Sequence, residues 1–506
     1  MTAVSVGTRH VTTAPAEGAG TERRHSGDGA LATVLVTSLS IVLAILVPSV
    51  RHWFLVPVTL SGILIGVDTV KWFRLRTDIF DPRAYLGLTG FHFFYLTPIL
   101  HVALDHWVKR VYDPPDWQQA IGTLAVFNVI GLVIYRCVVA IPSRGGRRRP
   151  TRELDTRAFY RFGLLAALVS IVAFGAEIAR FGGPAGFITV MTGTFLRPEL
   201  AGMGWLIILA EAFPAILFAL VVVRWRGTLA RRPGLLVLLL IGLAVTQFFV
   251  GGLKGSRSST LWPVLLCLIL VHLMVREISR KAMFTFTAVV LVFLYAYGLY
   301  KTAGTSVLDV ARGTRTVQEV SSETGRDLPT MLTGDLGRAD VQAVILDRHL
   351  HHSVVPAYGS TYLAGLSVFV PRVLLPERPT SKLDVGSQLL YGPEALAAEG
   401  RSSKVYGITG EAIMNFGPLG GLVSFAVLGM IVRFARRYYL RARQQAALAP
   451  KLLAPMVWAL VGVISADFDN IIAFQLKYAL PLATVVLLAR ARNRAATNGL
   501  QPLRTR

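Results

Sequence analysis

Apolar runs of roughly 17–25 residues recur along the whole chain, each long enough to cross a hydrocarbon core of about 30 Å. A chain built this way can satisfy its backbone polar groups in lipid only as helices or as a closed barrel. The runs are continuous rather than alternating, which selects helices. The expected fold is an all-α polytopic membrane protein with about twelve transmembrane helices by the hydropathy criterion. They fall near residues 30–49, 53–70, 84–104, 118–140, 162–181, 205–223, 235–250, 260–275, 282–300, 412–432, 452–467 and 470–489.

The 506 residues are 53% hydrophobic and 16% charged, with a net charge of +23. In a soluble chain that excess would point to nucleic acid. Here the cations gather in short connections, as the positive-inside rule requires, so nucleic acid is excluded as a partner. "KWFRLRTDIFDPR", "PSRGGRRRPTRELDTRAFYR", "RWRGTLARR", "REISRK" and "RFARRYYLRARQQ" occupy every second connection, while "DHWVKRVYDPPDW" and "GGLKGSRSST" lie between them. One sidedness satisfies all of these, with both termini expected in the cytoplasm. The two cysteines, Cys137 and Cys267, lie inside spans and form no CxxC framework. The resulting organisation is a disordered N-terminus (1–29), nine spans (30–300), a large extracytoplasmic cap loop (301–406), three spans (407–489) and a basic tail (490–506). Within the cap loop, Gly359–Pro379 is apolar but interrupted by prolines, and reads as an interfacial segment.

Three pieces meet on the outer side. In "GGLKGSRSS" (Gly251–Ser259), Lys254 and Arg257 sit among glycines where topology disfavours positive charge. The turn reads either as a loop that holds an anion with its cations and N–H groups or as a solvated hairpin. "GDLGRADVQAVILDRHLHH" puts Arg338, Asp340, Asp347, Arg348, His349, His351 and His352 on an amphipathic helix, and "PRVLLPERPTSK" adds Arg372, Arg378 and Lys382. Guanidinium groups match phosphate oxygens bidentately, so an arginine-rich cap suits a diphosphate. HxHH is poor spacing for a helical metal site, so no metal is expected, while a histidine acid or base stays open. In "TGEAIMNFGPLGG", Glu411 and Asn415 lie one turn apart on one helix face, where the chain returns to the membrane. A carboxylate at that edge suits a general base for a sugar hydroxyl, or a structural partner for an arginine. "SADFDNIIAF" reads as a polar turn or as part of the site, and Lys477 should face the bundle interior.

The ordered set "GSR", "YGSTYLAGLSVFVPRVLLPERP" and "TGEAIMNFGPLGG", spanning Thr246–Phe434, resembles the bacterial O-antigen and exopolysaccharide repeat-unit polymerases. The resemblance implies a metal-independent membrane glycosyltransferase without cofactor. Its substrate would be an oligosaccharide on polyprenyl pyrophosphate, in contact with membrane lipid, and a flippase and a chain-length regulator would be its further partners. Arg257, Arg372, Glu411, Asn415 and Gly417 match the family's elements, and Arg338 matches by its position in the outer loop. On this reading Glu411 and Arg257 are catalytic, and Lys254, Arg338, Arg372, Arg378, Asn415 and His352 bind substrate. The alternatives are a ligase or a polyprenyl-phosphate-dependent glycosyltransferase, against which the short first outer loop "VPSVRH" counts, and a flippase of lipid-linked sugars. A flippase would bury charges at the midplane and break helices in paired positions. A membrane acyltransferase would want a histidine deep in a span, where only His101 and His272 are available.

Overall fold

A computed structural model of the chain describes residues 19–108, 114, 116–142, 153–192, 204–304, 307–352, 354–367, 370, 374–392 and 404–490. Among the described residues eleven helices are long and apolar enough to cross a membrane, and a shorter apolar helix lies among them. We label them α1 (Ala19–Leu46), α2 (Leu55–Phe73), α3 (Pro82–Ala103), α4 (Trp117–Ala140), α5 (Thr156–Arg180) and α6 (Gly204–Arg231). Then follow α7 (Pro233–Lys254), α8 (Arg257–Met274), α9 (Arg280–Lys301), α10 (Gly407–Gln444), α11 (Leu448–Ile464) and α12 (Phe468–Leu488). The expected spans are all present. The short one, α11, carries Pro455 and finishes as a 3-10 turn over Ala459–Ile464.

The beginning of the chain differs from expectation. α1 is helical from Ala19, and the buried Asp28 pairs with Arg74 (2.9 Å) and Arg76 (2.6 Å), so residues 19–29 are ordered helix; residues 1–18 lie outside the described residues. Of the basic tail, Arg490 forms an isolated bridge with Leu154, and the rest lies outside the described residues.

Among the described residues two large cores fill the bundle, with a small third cluster of Phe187, Met191 and Leu253. One joins α1–α4, the cap helix Ala339–His351 and the first half of α10, and the other joins α5–α8, α11, α12 and the far end of α10. α10 therefore belongs to both. In lipid, apolar contact between helices gains only from close packing, so small residues set the approach. Gly131 on α4 leaves room for the buried ring of Phe425 on α10, where a Cβ would stand 2.3 Å from that ring.

α10 is broken. Phe416 and Gly417 leave helical geometry, Gly417 at φ 67°, and Pro418 follows. Proline has no N–H to give Met414 O, and the turn at Gly417 denies Asn415 O its partner. Ala357 N–H and Tyr358 N–H donate to those two carbonyls instead, both at 2.9 Å. The cap loop is thus stitched to the break.

The connections alternate between two ends. At one end the α2–α3 loop is latched: Asp78 accepts from Tyr439 (2.5 Å) and faces Arg443 (2.8 Å) and His272 (3.1 Å), and Asp81 pairs with Arg436 (2.9 Å). The cap and the hairpin Gly251–Ser259 occupy the other.

Candidate functional site

The hairpin Gly252–Lys254 is a single 3-10 turn, and Gly255 (φ 87°) reverses the chain into α8. That reversal sends its two cations to different places. Arg257 reaches up to Asp335 (2.8 Å), which also takes Arg326 (3.1 Å). Asp335 ends a π-helical turn, Thr330–Asp335. Arg338, three residues on, donates to the carbonyls of Gly334 (2.9 Å), Asp335 (3.1 Å) and Gly337, and its buried Nε has no partner. Two guanidiniums thus pair with one carboxylate, and Arg338, held on the backbone of the same turn, adds a third positive charge that Asp467 and Asp340 also oppose. Arg257 and Arg326 remain partly open, at 26% and 28% exposure. Burial pushes the Asp335 carboxyl up, but the Arg257 bond and the charges of Arg257, Arg326 and Arg338 outweigh it and hold the carboxyl below its usual range. Burial lowers the Arg338 guanidinium, with Asp467 opposing and Arg257 adding to the effect. Crowded positive charge of this kind favours an incoming anion.

Lys254 does not share that cluster. It turns inward to Glu177 on α5 (2.9 Å) and to Glu211 (3.4 Å), at only 6% exposure. Glu211 sits at the break in α6, between helices Gly204–Ala210 and Phe213–Arg231, and also holds Lys477 (3.0 Å) and Tyr478 (2.5 Å) on α12. The expectation that Lys254 binds an anion beside Arg257 is therefore corrected: two carboxylates already neutralise it. Lys477 does face the bundle. The signal for Glu177 and Glu211 was present in "FGAEIARF" and "ILAEAFPA", acids inside apolar runs, and the reading of loops passed over them.

Glu411 is buried, at 1% exposure. Its Oε1 accepts from Thr361 (2.9 Å), which accepts in turn from Asn415 (2.7 Å), and its Oε2 accepts the Phe468 N–H at the start of α12 (2.7 Å). Asn415 also receives the Gly359 N–H (3.0 Å). Asp467 is the counterpart, with Oδ1 taking the N–H groups of Tyr406 and Gly407 at the start of α10, both at 2.7 Å, and Oδ2 taking Lys382 (2.5 Å). Each of the two helices thus lends a carboxylate to the other's orphan N–H groups. An open general base is not what this geometry presents; Glu411 holds α10, α12 and the helix Ser360–Leu366 together.

The remaining candidates are scattered. Arg338 and His352 stand at opposite ends of the helix Ala339–His351, about 20 Å apart at 1.5 Å per residue. One headgroup cannot bridge them. Arg378 is exposed and bonds Val370 O (3.1 Å), and Arg372 lies outside the described residues. Among the described residues, no three His, Cys, Asp or Glu side chains are placed to hold a metal ion. Sequence reasoning also missed Arg326 and Asp335, which lie in polar segments that carry no periodic signal.

No protein-family model, curated protein or solved structure matches the chain.

Proposed function

We propose that this membrane protein polymerises lipid-linked oligosaccharide repeat units on the outer face of the cytoplasmic membrane, by glycosyl transfer from polyprenyl pyrophosphate. The observation that carries the reading is the pairing of Arg257 and Arg326, both partly open, with the Asp335 carboxylate in the cap, and Arg338 bonded to the backbone of the same turn. An acceptor hydroxyl forms a bond to the anomeric carbon as the bond to the diphosphate breaks; the electron pair of that bond stays on the leaving diphosphate, and the hydroxyl proton passes to one of its oxygens. Preorganised guanidiniums in a water-poor site stabilise the developing charge strongly. Arg257 and Arg326 turn from Asp335 to the diphosphate, and Glu411 keeps the helix Ser360–Leu366 seated at the break in α10.

Arg257→Ala should leave the protein inserted but abolish long-chain glycan, with single repeat units accumulating on their lipid in the outer leaflet. A second reading, a flippase of lipid-linked sugars, draws on the buried charges Glu177, Glu211, Lys254 and Lys477 and on the breaks in α6 and α10. Glu177 lies three residues from the end of α5, whereas Lys477 stands at the middle of α12, nine residues from its start and eleven from its end, so the depth of these charges does not count against transport. Repeat units accumulating in the inner leaflet would establish transport and overturn polymerisation.

A further inference from the structure

The turn that carries Asp335 is held from outside by a histidine. His106 follows α3, in the connection to α4, and its ring lies between two hydroxyls of that turn. Nδ1 is 3.0 Å from Thr333 Oγ1 and Nε2 is 3.2 Å from Thr330 Oγ1. One arrangement of protons makes every bond around the turn at once. Thr333 donates its only hydroxyl proton to Pro329 O (2.8 Å), and Thr330 donates to Gly325 O (3.3 Å). Both hydroxyl oxygens are left to accept, and each faces a ring nitrogen of His106. A neutral imidazole has one N–H, whereas the imidazolium has two. The imidazolium donates to both hydroxyls while Thr330 keeps Gly325 O; a neutral ring keeps both contacts only if Thr330 turns its proton onto Nε2 and gives up Gly325 O.

The charged groups around the ring agree with that state. Asp327, one turn before Thr330, interacts electrostatically with His106. On the other side His101 donates from Nδ1 to the His106 carbonyl, its ring 6.1 Å away and its Nε2 3.7 Å from Asp340. His92 on α3 adds a third hold, bonding Leu332 O at 3.1 Å. Thr330 and Thr333 belong to the same turn as Asp335, so whatever holds the hydroxyls holds the carboxylate that aligns Arg257 and Arg326.

We propose that His106 is a positioning residue of the arginine cluster: as an imidazolium bonded to Thr330 and Thr333 it fixes the Asp335 turn, and loss of its proton releases that turn. The proposal rests on the reading of the cluster as a diphosphate site, and it gives that site a pH dependence in the ordinary histidine range. Deprotonation leaves one hydrogen bond fewer, because the Thr330 proton can serve either Nε2 or Gly325 O but not both, so the turn loosens as pH rises.

The test is hydrogen exchange of the segment 326–338 in the full chain purified in detergent, at about pH 5.5 and about pH 8.5, either side of the free histidine value. Relative to intrinsic rates, His106→Gln should exchange about fivefold faster than the native chain at the lower pH, the factor expected for one net hydrogen bond, and equally fast at the higher. A difference of the same size at both values, or none at either, overturns the proposal. If His106→Gln does not insert, the native chain decides alone. Protection of 326–338 relative to the helix Ala339–His351 should fall by a similar factor between the two pH values, and a constant ratio overturns the proposal. Inorganic pyrophosphate should bind more weakly at the higher pH. Its failure to bind at either value, with the exchange result as expected, would count against the diphosphate reading and not against the clamp.

Discussion

Glu411 shows how a residue legible in sequence can hold an unexpected position. The pairing of Glu411 with Asn415 one turn later was readable from "GEAIMN", and Asn415 does donate to the Glu411 carbonyl (2.8 Å). What the sequence could not supply is the partners, Thr361 fifty residues earlier and Phe468 fifty-seven later. Those partners make the carboxylate an acceptor on both oxygens. Glu411→Gln replaces one acceptor with an NH2 group, which must oppose either the Phe468 N–H or the Thr361 hydroxyl. Leaving such a donor unsatisfied costs about 1–3 kcal/mol, so the variant should melt measurably lower in detergent, while Thr361→Ser, which keeps the hydroxyl, should not. Native-like melting of Glu411→Gln together with complete loss of long-chain glycan would instead return Glu411 to the role of base. Asp335 is the opposite case: nothing in "MLTGDLGR" marks an acid that will collect two arginines, because both come from other segments.

At the level of elements, the spans were legible because length and continuous apolarity suffice for them. The breaks were legible only in part. "FGPLGG" contains the glycine and proline that interrupt α10, yet glycine there reads equally as a packing residue, and only the N–H groups of Ala357 and Tyr358 reveal which use prevails. The α2–α3 loop is a further element whose role appears only on folding. Burial pushes the Asp78 carboxyl up, but the bonds from His272 and Tyr439 outweigh it and bring it from 3.8 down to about 2. A carboxyl that is more acidic when folded contributes its full stability above the unfolded value and loses it as pH falls through the folded one. A shift of that size corresponds to about 2 kcal/mol. Asp78→Asn should therefore melt below the native chain at neutral pH, and the gap should close as pH falls from about 4 toward about 2. A gap that persists unchanged across that interval would mean that the latch owes nothing to the charge of Asp78.

For the whole molecule the deciding property is which end faces outward. At the end with the cap, the cations of the hairpin and its surroundings have carboxylate partners: Lys254 with Glu177 and Glu211, Arg257 and Arg326 with Asp335, Lys382 with Asp467, and Lys477 with Glu211. The opposite end carries exposed Arg224, Arg226, Arg231, Arg232 and Arg441, and Arg433, Arg437 and Arg441 follow one another at four-residue spacing along α10. Like charges at that spacing repel, a cost that the anionic inner-leaflet surface relieves. The orientation we propose by the positive-inside rule puts the arginine stripe in the cytoplasm and the Asp335 cluster outside. Ser322→Cys, exposed in the cap region, should react in intact cells with an impermeant thiol reagent, whereas Arg441→Cys should react only after permeabilisation. Of the native cysteines Cys267 is buried, and Cys137 is removed by Cys137→Ser to give a clean background. The reverse labelling pattern would place the guanidinium cluster in the cytoplasm, where an outward-facing lipid-linked glycan cannot meet it.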